Sequence, residues 1–232
     1  MQGSFVKEGA IDAIPTVLGY ASIGLACGIV SVNSGISALE MALMSVFVYA
    51  GSAQFVMCAM ILAGAPLMSI AVTVFFVNLR HFLLSLHTAS MFQKNSLGSN
   101  IFIGSFLTDE SYGVLLRKQL ENPTVSPYWM YGNNLASYTA WVLFTVLGNL
   151  IGSFIPNPEG LGLDFALVAM FVGIFAGQLE AMARQIPLRK IGWILLSVFC
   201  AYMGLVLVTS SYIAVLVATL IGCFVGVMLD DK

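Results

Sequence analysis

Charge is the scarcest thing in this sequence. Only 9% of its 232 residues are charged and two are histidine, against 59% hydrophobic and a mean hydropathy of +0.95. A soluble domain carries about 25% charged residues. No water-soluble fold of this size could hide so much apolar surface, so lipid serves as the solvent for much of it. The net charge of −2 leaves no electrostatic footprint for nucleic acid. Cysteine is sparse too. Cys27, Cys58, Cys200 and Cys223 lie in apolar runs without CxxC spacing, which argues against a zinc site or a disulfide framework and for packing roles. No Walker A pattern is present, so ATP hydrolysis is not expected of this chain, nor is a metal or other cofactor. The N-terminus, MQGSFVKEGAID, makes a poor n-region for a cleaved signal peptide, and the first apolar segment reads as an uncleaved span.

What is abundant is apolar sequence in long runs. Short polar breaks at 31–35, 63–66, 93–100, 117–127, 156–160, 184–190 and 209–211 divide it into eight segments: about 13–30, 38–62, 66–91, 100–116, 128–154, 163–183, 191–208 and 212–229. A crossing helix needs about 20 apolar residues and satisfies its backbone internally. The expectation is therefore an all-α integral membrane protein, a polytopic bundle of about eight transmembrane helices, some broken, forming a single domain over 1–232. With both termini cytoplasmic, the cytoplasmic segments hold Lys7, Arg117, Lys118, Arg184, Arg189, Lys190 and Lys232, and the outer loops hold only Lys94. That is a clear positive-inside bias.

Four segments carry GxxxG: GLACG (24–28), GNLIG (148–152), GIFAG (173–177) and GCFVG (222–226). Glycines four apart share a helix face and let backbones approach closely. Packing within the bundle is the plainer reading, and docking of another subunit the sharper one. FVYAGSAQF (47–55) is echoed by FVGIFAGQL (171–179), which hints at a repeat relating 1–120 to 128–232.

Against this background the polar residues stand out. A charge at a helix centre costs on the order of 2.5–3.5 kcal/mol on the insertion scale. VNLRHFLLSL (77–86) places Asn78, Arg80 and His81 deep in the third segment, and SFLTDESYGV (105–114) places Thr108, Asp109 and Glu110 in the fourth. Ser105, Thr108, Asp109 and Tyr112 fall on one face if that segment is a continuous helix. Treating segments three and four as an antiparallel pair about the loop near 94–95 sets Arg80 opposite Asp109, His81 opposite Thr108 and Asn78 opposite Ser111. YAGSAQF (49–55) interrupts the second segment with Gly51, Ser52 and Gln54. Local unwinding there would expose backbone N–H groups around Gly51–Ala53 near the midplane. Gln178 and Glu180 form a weaker counterpart in the sixth segment. His87 reads as interfacial, Trp129 and Trp193 as belt residues at span ends, and Trp141 as lying inside a span.

YAGSAQF, VNLRHFLLSL and FLTDESY (106–112), in this order and spacing, resemble the three most characteristic stretches of the AzlC family of bacterial branched-chain amino acid permeases. The resemblance covers essentially the whole chain. It implies an exporter of leucine, isoleucine and valine, with methionine in some members, located in the bacterial inner membrane. It also implies a small hydrophobic AzlD-type partner subunit. Gly51, Ser52, Gln54, Asn78, Arg80, His81, Thr108, Asp109 and Glu110 occupy the shared motifs.

The mechanistic expectation is a secondary transporter. A zwitterion's carboxylate meets N–H groups at Gly51, Ser52 and Ala53 or the Arg80 guanidinium. Its ammonium meets Asp109 or Glu110, and its side chain lies on apolar surface. His81, Asp109 or Glu110 carries a coupled proton, and Arg80–Asp109 is either a fixed or a cycling pair. Two alternatives remain open: an intramembrane enzyme using Ser52 and His81 as nucleophile and base, and a channel-forming subunit.

Overall fold

The computed structural model describes residues 2–155, 172, 175–176, 179–180, 182–183, 186–209 and 211–229. The sixth segment, its GIFAG and the echo of FVYAGSAQF fall largely outside the described residues. The chain forms two compact units, Met1–Met170 and Phe171–Lys232.

The first unit contains α1 (Gln2–Asp12), α2 (Ile14–Asn33), α3 (Ala38–Phe47), α4 (Gly51–Leu62), α5 (Leu67–Met91), α6 (Leu97–Ser105), α7 (Asp109–Glu121) and α8 (Pro127–Gly152). Three of these, α2, α5 and α8, are long and apolar enough to cross a membrane. By contrast, α3, α4, α6 and α7 have 10, 12, 9 and 13 residues. At 1.5 Å per residue each is roughly 13–20 Å long, about half a bilayer core.

The frame is α1–α2 lying alongside α8 in the same direction. A Cβ on Gly28 would fall 2.1 Å from the Thr145 carbonyl oxygen, and one on Gly148 would fall 2.3 Å from that of Leu25. Gly9 meets the Trp129 backbone and Gly132 the Val6 backbone in the same way. Two of the four GxxxG motifs, 24–28 and 148–152, are thus spent on each other inside the bundle. Only glycine permits this separation, because any side chain would wedge the two backbones apart. The frame has two ends, one marked by Gly9 and Trp129 and the other by Asn33 and Gly152.

Two helical hairpins enter this frame from opposite ends. At the Gly152 end, the Asn149 amide bonds the Ile36 carbonyl, and α3 begins on a Ser37–Glu40 capping box. From there α3 descends until Ser45 meets Thr145 halfway along α8. The chain turns at 48–50, where Tyr49 has φ 40 and Ala50 is extended. α4 then returns alongside α3, with Gln54 bonded to Ser45 and Trp141, and Cys58 next to Cys27. α5 runs the full length to the other end, where Phe92 packs with Trp129 and Leu115. From that end α6 enters, with Tyr131 bonded to Ser99 and the Asn134 amide to the Ile103 carbonyl. The chain turns at 106–108. α7 goes back to the same end, with the Asn133 amide on the Ser111 carbonyl and Lys118 on Glu8 and Asp12.

The second and fourth apolar segments are therefore each a re-entrant hairpin and not a single traverse. The second was expected to be broken. The fourth was not, and its break removes the single face assigned to Ser105, Thr108, Asp109 and Tyr112. Ser105 ends α6, whereas Thr108 is the N-cap of α7. The physical reason is local: Thr108 accepts from Ser111 N–H, and Asp109 and Glu110 favour the positive end of a new helix.

The hairpins also reorder the charges. Lys7, Lys94, Arg117 and Lys118 all lie towards the Trp129 end, while the connections 34–37 and 63–66 at the other end carry no Lys or Arg. Lys94, placed alone outside by counting one crossing per segment, joins the other basic residues. Trp129 is not a belt residue. It is 1% exposed, and its indole N–H is bonded to Asp12 at 2.9 Å.

In the second unit, α9 (Leu188–Val206) and α10 (Ser211–Met228) pack antiparallel. Gly222 faces Val198 and Gly226 faces Ile194, so GCFVG is used between these two helices.

Candidate functional site

The two hairpin tips and α5 meet midway along the frame. Tyr49 at the first tip touches Phe106 at the second, their ring centroids 6.5 Å apart, and Tyr138 of α8 packs edge-on against both. The N-termini of α4 and α7 both start here, at Gly51 and Asp109.

Arg80 joins them. Its guanidinium lies 2.8 Å from Asp109 Oδ2 and also donates to Ser52 Oγ. A cation this deep cannot snorkel, so its partners must come from neighbouring backbone starts and side chains. Arg80 Nε remains without a partner, as do the Asn78 Oδ1 and the Tyr49 hydroxyl, all buried. The expected Arg80–Asp109 pairing is present. The depth arithmetic holds along α5 and α6 as well, where Ser85 reaches the Gly104 carbonyl at 3.4 Å. Apart from Asp109, the first residue of α7, it fails from the α6–α7 turn onward. Thr108 pairs with Tyr20 and not His81, and Ser111 with Asn133 and not Asn78. A continuous fourth helix would have kept that register, and a returning α7 does not. His87 pairs with Tyr112 at 2.6 Å for the same reason.

The two helix starts differ in chemistry. α7 is closed by its own sequence, with Thr108 as a side-chain cap and two acids in the first turn. α4 has Ala50 as N-cap, no side-chain cap and no acid in its first turn. Its first N–H groups, at Gly51, Ser52 and Ala53, carry the positive end of the helix dipole towards Arg80. Gly51 is needed where it stands, because a Cβ there would lie 2.9 Å from the Trp141 ring. Gln54 has its side chain taken on both sides, donating to Ser45 Oγ at 2.9 Å and accepting from Trp141 Nε1 at 2.6 Å. It fixes the tip, with neither end of its amide left for a ligand.

Glu110 faces the other way from Asp109. Its Oε2 lies 2.8 Å from the Tyr20 hydroxyl, which is also 2.8 Å from Thr108 Oγ1. His81 feels the charges of both Arg80 and Glu110. Ser52 has Arg80 as its partner and not His81, so the nucleophile–base pair weighed from sequence is not assembled.

Several residues that build this site carry no motif. Tyr20, Trp141, Thr145, Asn133 and Asn134 were each visible only as a polar or aromatic group inside an apolar run. The adjacent Asn133 and Asn134 were the strongest such signal, since buried amides demand partners. Among the described residues no group of three or more His, Cys, Asp or Glu side chains is placed to hold a metal.

The sequence matches the family model described as "AzlC protein" over residues 15–155. It is 32% identical over 179 residues to the "Inner membrane protein YgaZ" of Escherichia coli (strain K12), covering 75% of this chain and 73% of that protein. It is 26% identical over 166 residues to the "Branched-chain amino acid transport protein AzlC" of Bacillus subtilis (strain 168), covering 71% of this chain and 64% of that one. A membrane protein of Helicobacter pylori (strain ATCC 700392 / 26695) is 26% identical over 196 residues, covering 84% of this chain and 83% of the relative. No solved structure matches. The matched region holds both hairpins, nearly all of α2, and α5 and α8, and the chain is a multi-pass membrane protein belonging to the AzlC family.

Proposed function

We propose that this protein is a secondary transporter that exports branched-chain amino acids (leucine, isoleucine and valine, with methionine at the edge of its range) across the bacterial inner membrane, coupled to protons. The name of the Bacillus subtilis relative supports the substrate class. The observation that carries the reading is the meeting of two opposed half-helices at Arg80, with the α4 N-terminus left uncapped.

The substrate carboxylate binds at the Gly51–Ala53 N–H groups beside Arg80, where dipole and guanidinium act together. The Tyr49 hydroxyl and Arg80 Nε, both buried donors without a partner, complete its hydrogen bonding. The ammonium meets Asp109 and the Asn78 carbonyl oxygen. The aliphatic side chain lies against the Tyr49, Phe106 and Tyr138 rings. His81, Asp109 and Glu110 are the groups available to carry the proton. Hairpins entering from opposite ends give each side of the membrane its own moving tip, which suits alternating access around a fixed midplane site. The basic Trp129 end faces the cytoplasm by the positive-inside rule. An AzlD-type small subunit completes the transporter.

The test is reconstitution into liposomes with and without that small subunit, following labelled leucine across an imposed pH gradient. Saturable, gradient-driven flux with counterflow is expected, and non-saturable flux would favour a channel. Asp109→Asn is expected to abolish gradient-driven export while leaving the protein inserted. Full retention would remove Asp109 from the proton step.

A further inference from the structure

Tyr20 belongs to none of the motifs, yet it reaches both hairpins, α6–α7 directly and α3–α4 through Trp141. Its ring stands edge-on against Trp141, centroids 5.0 Å apart at 72°, and Trp141 in turn holds Gln54 of α4. Its hydroxyl lies 2.8 Å from both Thr108 Oγ1 and Glu110 Oε2. The residue is 4% exposed, so water does not compete for these bonds.

A phenol has one proton and cannot donate to both neighbours. The direction of the chain therefore depends on Glu110. When Glu110 is ionised it can only accept, so Tyr20 donates to it and the Thr108 hydroxyl donates to Tyr20. When Glu110 takes up a proton from the coupling gradient, its carboxyl O–H donates to the Tyr20 oxygen. Tyr20 must then donate to Thr108 Oγ1, whose own proton turns to Ser111 Oγ, 3.3 Å away. The Ser111 hydroxyl already donates to the Thr108 carbonyl oxygen at 3.3 Å. One proton is gained at Glu110, and every other hydrogen only changes the direction it points. Thr108 Oγ1 is also the cap that accepts from Ser111 N–H at 3.2 Å. A stronger donor on that oxygen weakens it as an acceptor and loosens the start of α7.

We propose that Tyr20 is the positioning residue that transmits the protonation state of Glu110 to the N-cap of α7, and so to the tip of the α6–α7 hairpin. The inference rests on the proton-coupled reading above. Among the described residues the groups near Glu110 are Tyr20 from α2, Tyr49 from the α3–α4 turn and His81 from α5, with Arg80 beside His81 and paired to Asp109, while Thr108 and Asp109 are its neighbours along the chain. Trp141 of α8 contributes no titratable group.

Tyr20→Phe tests it, because it keeps the ring on Trp141 and removes only the hydroxyl. In proteoliposomes holding the protein and its small subunit, labelled leucine is followed both as gradient-driven flux and as leucine–leucine exchange at equal pH. The variant is expected to lose gradient-driven flux about tenfold or more, the scale of one charge-assisted hydrogen bond. Its pH–rate profile is expected to flatten while exchange persists. Thr108→Ser, which retains a hydroxyl, is expected to keep the wild-type profile. A wild-type pH profile in Tyr20→Phe overturns the proposal, as does parallel loss of exchange and gradient-driven flux, which marks a mere strut. Wild-type protein that exchanges leucine yet ignores the gradient would instead overturn the proton-coupled reading itself.

Discussion

The two hairpins are built alike and finished differently. Each is two short helices folded back at the midplane, with a half-helix N-terminus at its tip and a ring at its turn, Tyr49 in one and Phe106 in the other. The α6–α7 tip satisfies itself, with Thr108 and Ser111 capping each other and acids filling the first turn. The α3–α4 tip does not: its N-cap is Ala50, its backbone at Tyr49 is in the left-handed region, and the Tyr49 hydroxyl has no partner. A non-glycine residue held at positive φ costs on the order of 1–3 kcal/mol and tends to persist where function demands it. The closed tip carries negative charge and the open tip N–H donors, and the proposed zwitterion site rests on that division.

The hardest test of that division is to remove the residue joining the tips. Arg80→Leu leaves the half-buried Asp109 without its cation, and a loss of up to about 3 kcal/mol in stability, the lower end for a buried pair, is expected together with loss of transport. Thermal unfolding in detergent and leucine flux read the two effects. Adding Asp109→Leu is expected to restore most of the stability and none of the flux, which separates the structural share of the pair from the functional one.

Both hairpins hang on the α2–α8 contact, so disturbing it affects them equally. Gly148→Ala sets a Cβ 2.3 Å from the Leu25 carbonyl oxygen. Overpacking of this kind costs about 1–3 kcal/mol, and the loss is expected in the melting temperature and in flux alike. Gly113→Ala meets nothing within 4 Å and serves as the neutral control.

Exchanging the caps sharpens the comparison itself. Thr108→Ala removes a working cap and is expected to cost about 1 kcal/mol. Ala50→Asp supplies one to α4 and is expected to stabilise by a similar amount while raising the KM for leucine, because the new carboxylate competes for the N–H groups proposed to bind the substrate carboxylate. Opposite signs of stability at the two tips, with transport impaired in both, is the expected pattern. A KM unaffected by Ala50→Asp would remove the α4 N-terminus from substrate binding.

The smallest effect lies where α7 returns to the frame. Lys118 bonds Glu8 at 2.7 Å and Asp12 at 3.0 Å, and those two carboxylates hold its amine above the ordinary lysine range. Burial pushes Asp12 up, but the Trp129 indole N–H and the Lys118 ammonium outweigh it and leave the carboxyl below its usual range. A lowered carboxyl stabilises above its unfolded pKa of about 4 and loses that contribution as pH falls through the folded value. A raised amine stabilises below about 10.4 and loses its contribution as pH rises beyond. Lys118→Met is therefore expected to cost up to about 1 kcal/mol between these limits. Thermal scans should show wild type and variant converging in acid.

Much of the site was readable in the sequence because charge is so rare there. Arg80 and Asp109 had to find partners at depth, and they found each other. The same residues misled about the fourth segment. TDES reads equally as four positions along a helix face or as a helix start, and period alone cannot separate these. The residue that would have decided it, Thr108 as an N-cap, has its hydroxyl completed by Tyr20, 88 positions away. Tyr49 opens YAGSAQF, but its left-handed backbone gave no signal, since tyrosine rarely takes that conformation.

By itself the sequence determined the solvent, the helices and the chemistry at the centre. Apolar runs require lipid, lipid requires internally bonded backbone, and buried charge requires opposite charge. Only the tertiary structure decided which of the described apolar segments fold back on themselves. A run of about 20 apolar residues is equally satisfied by one full traverse or by two half-length helices returning to the same side. The choice rests on contacts distant in sequence: Gly28 against Gly148, Gln54 between Ser45 and Trp141, and Asn133 and Asn134 pinning the two limbs of α6–α7.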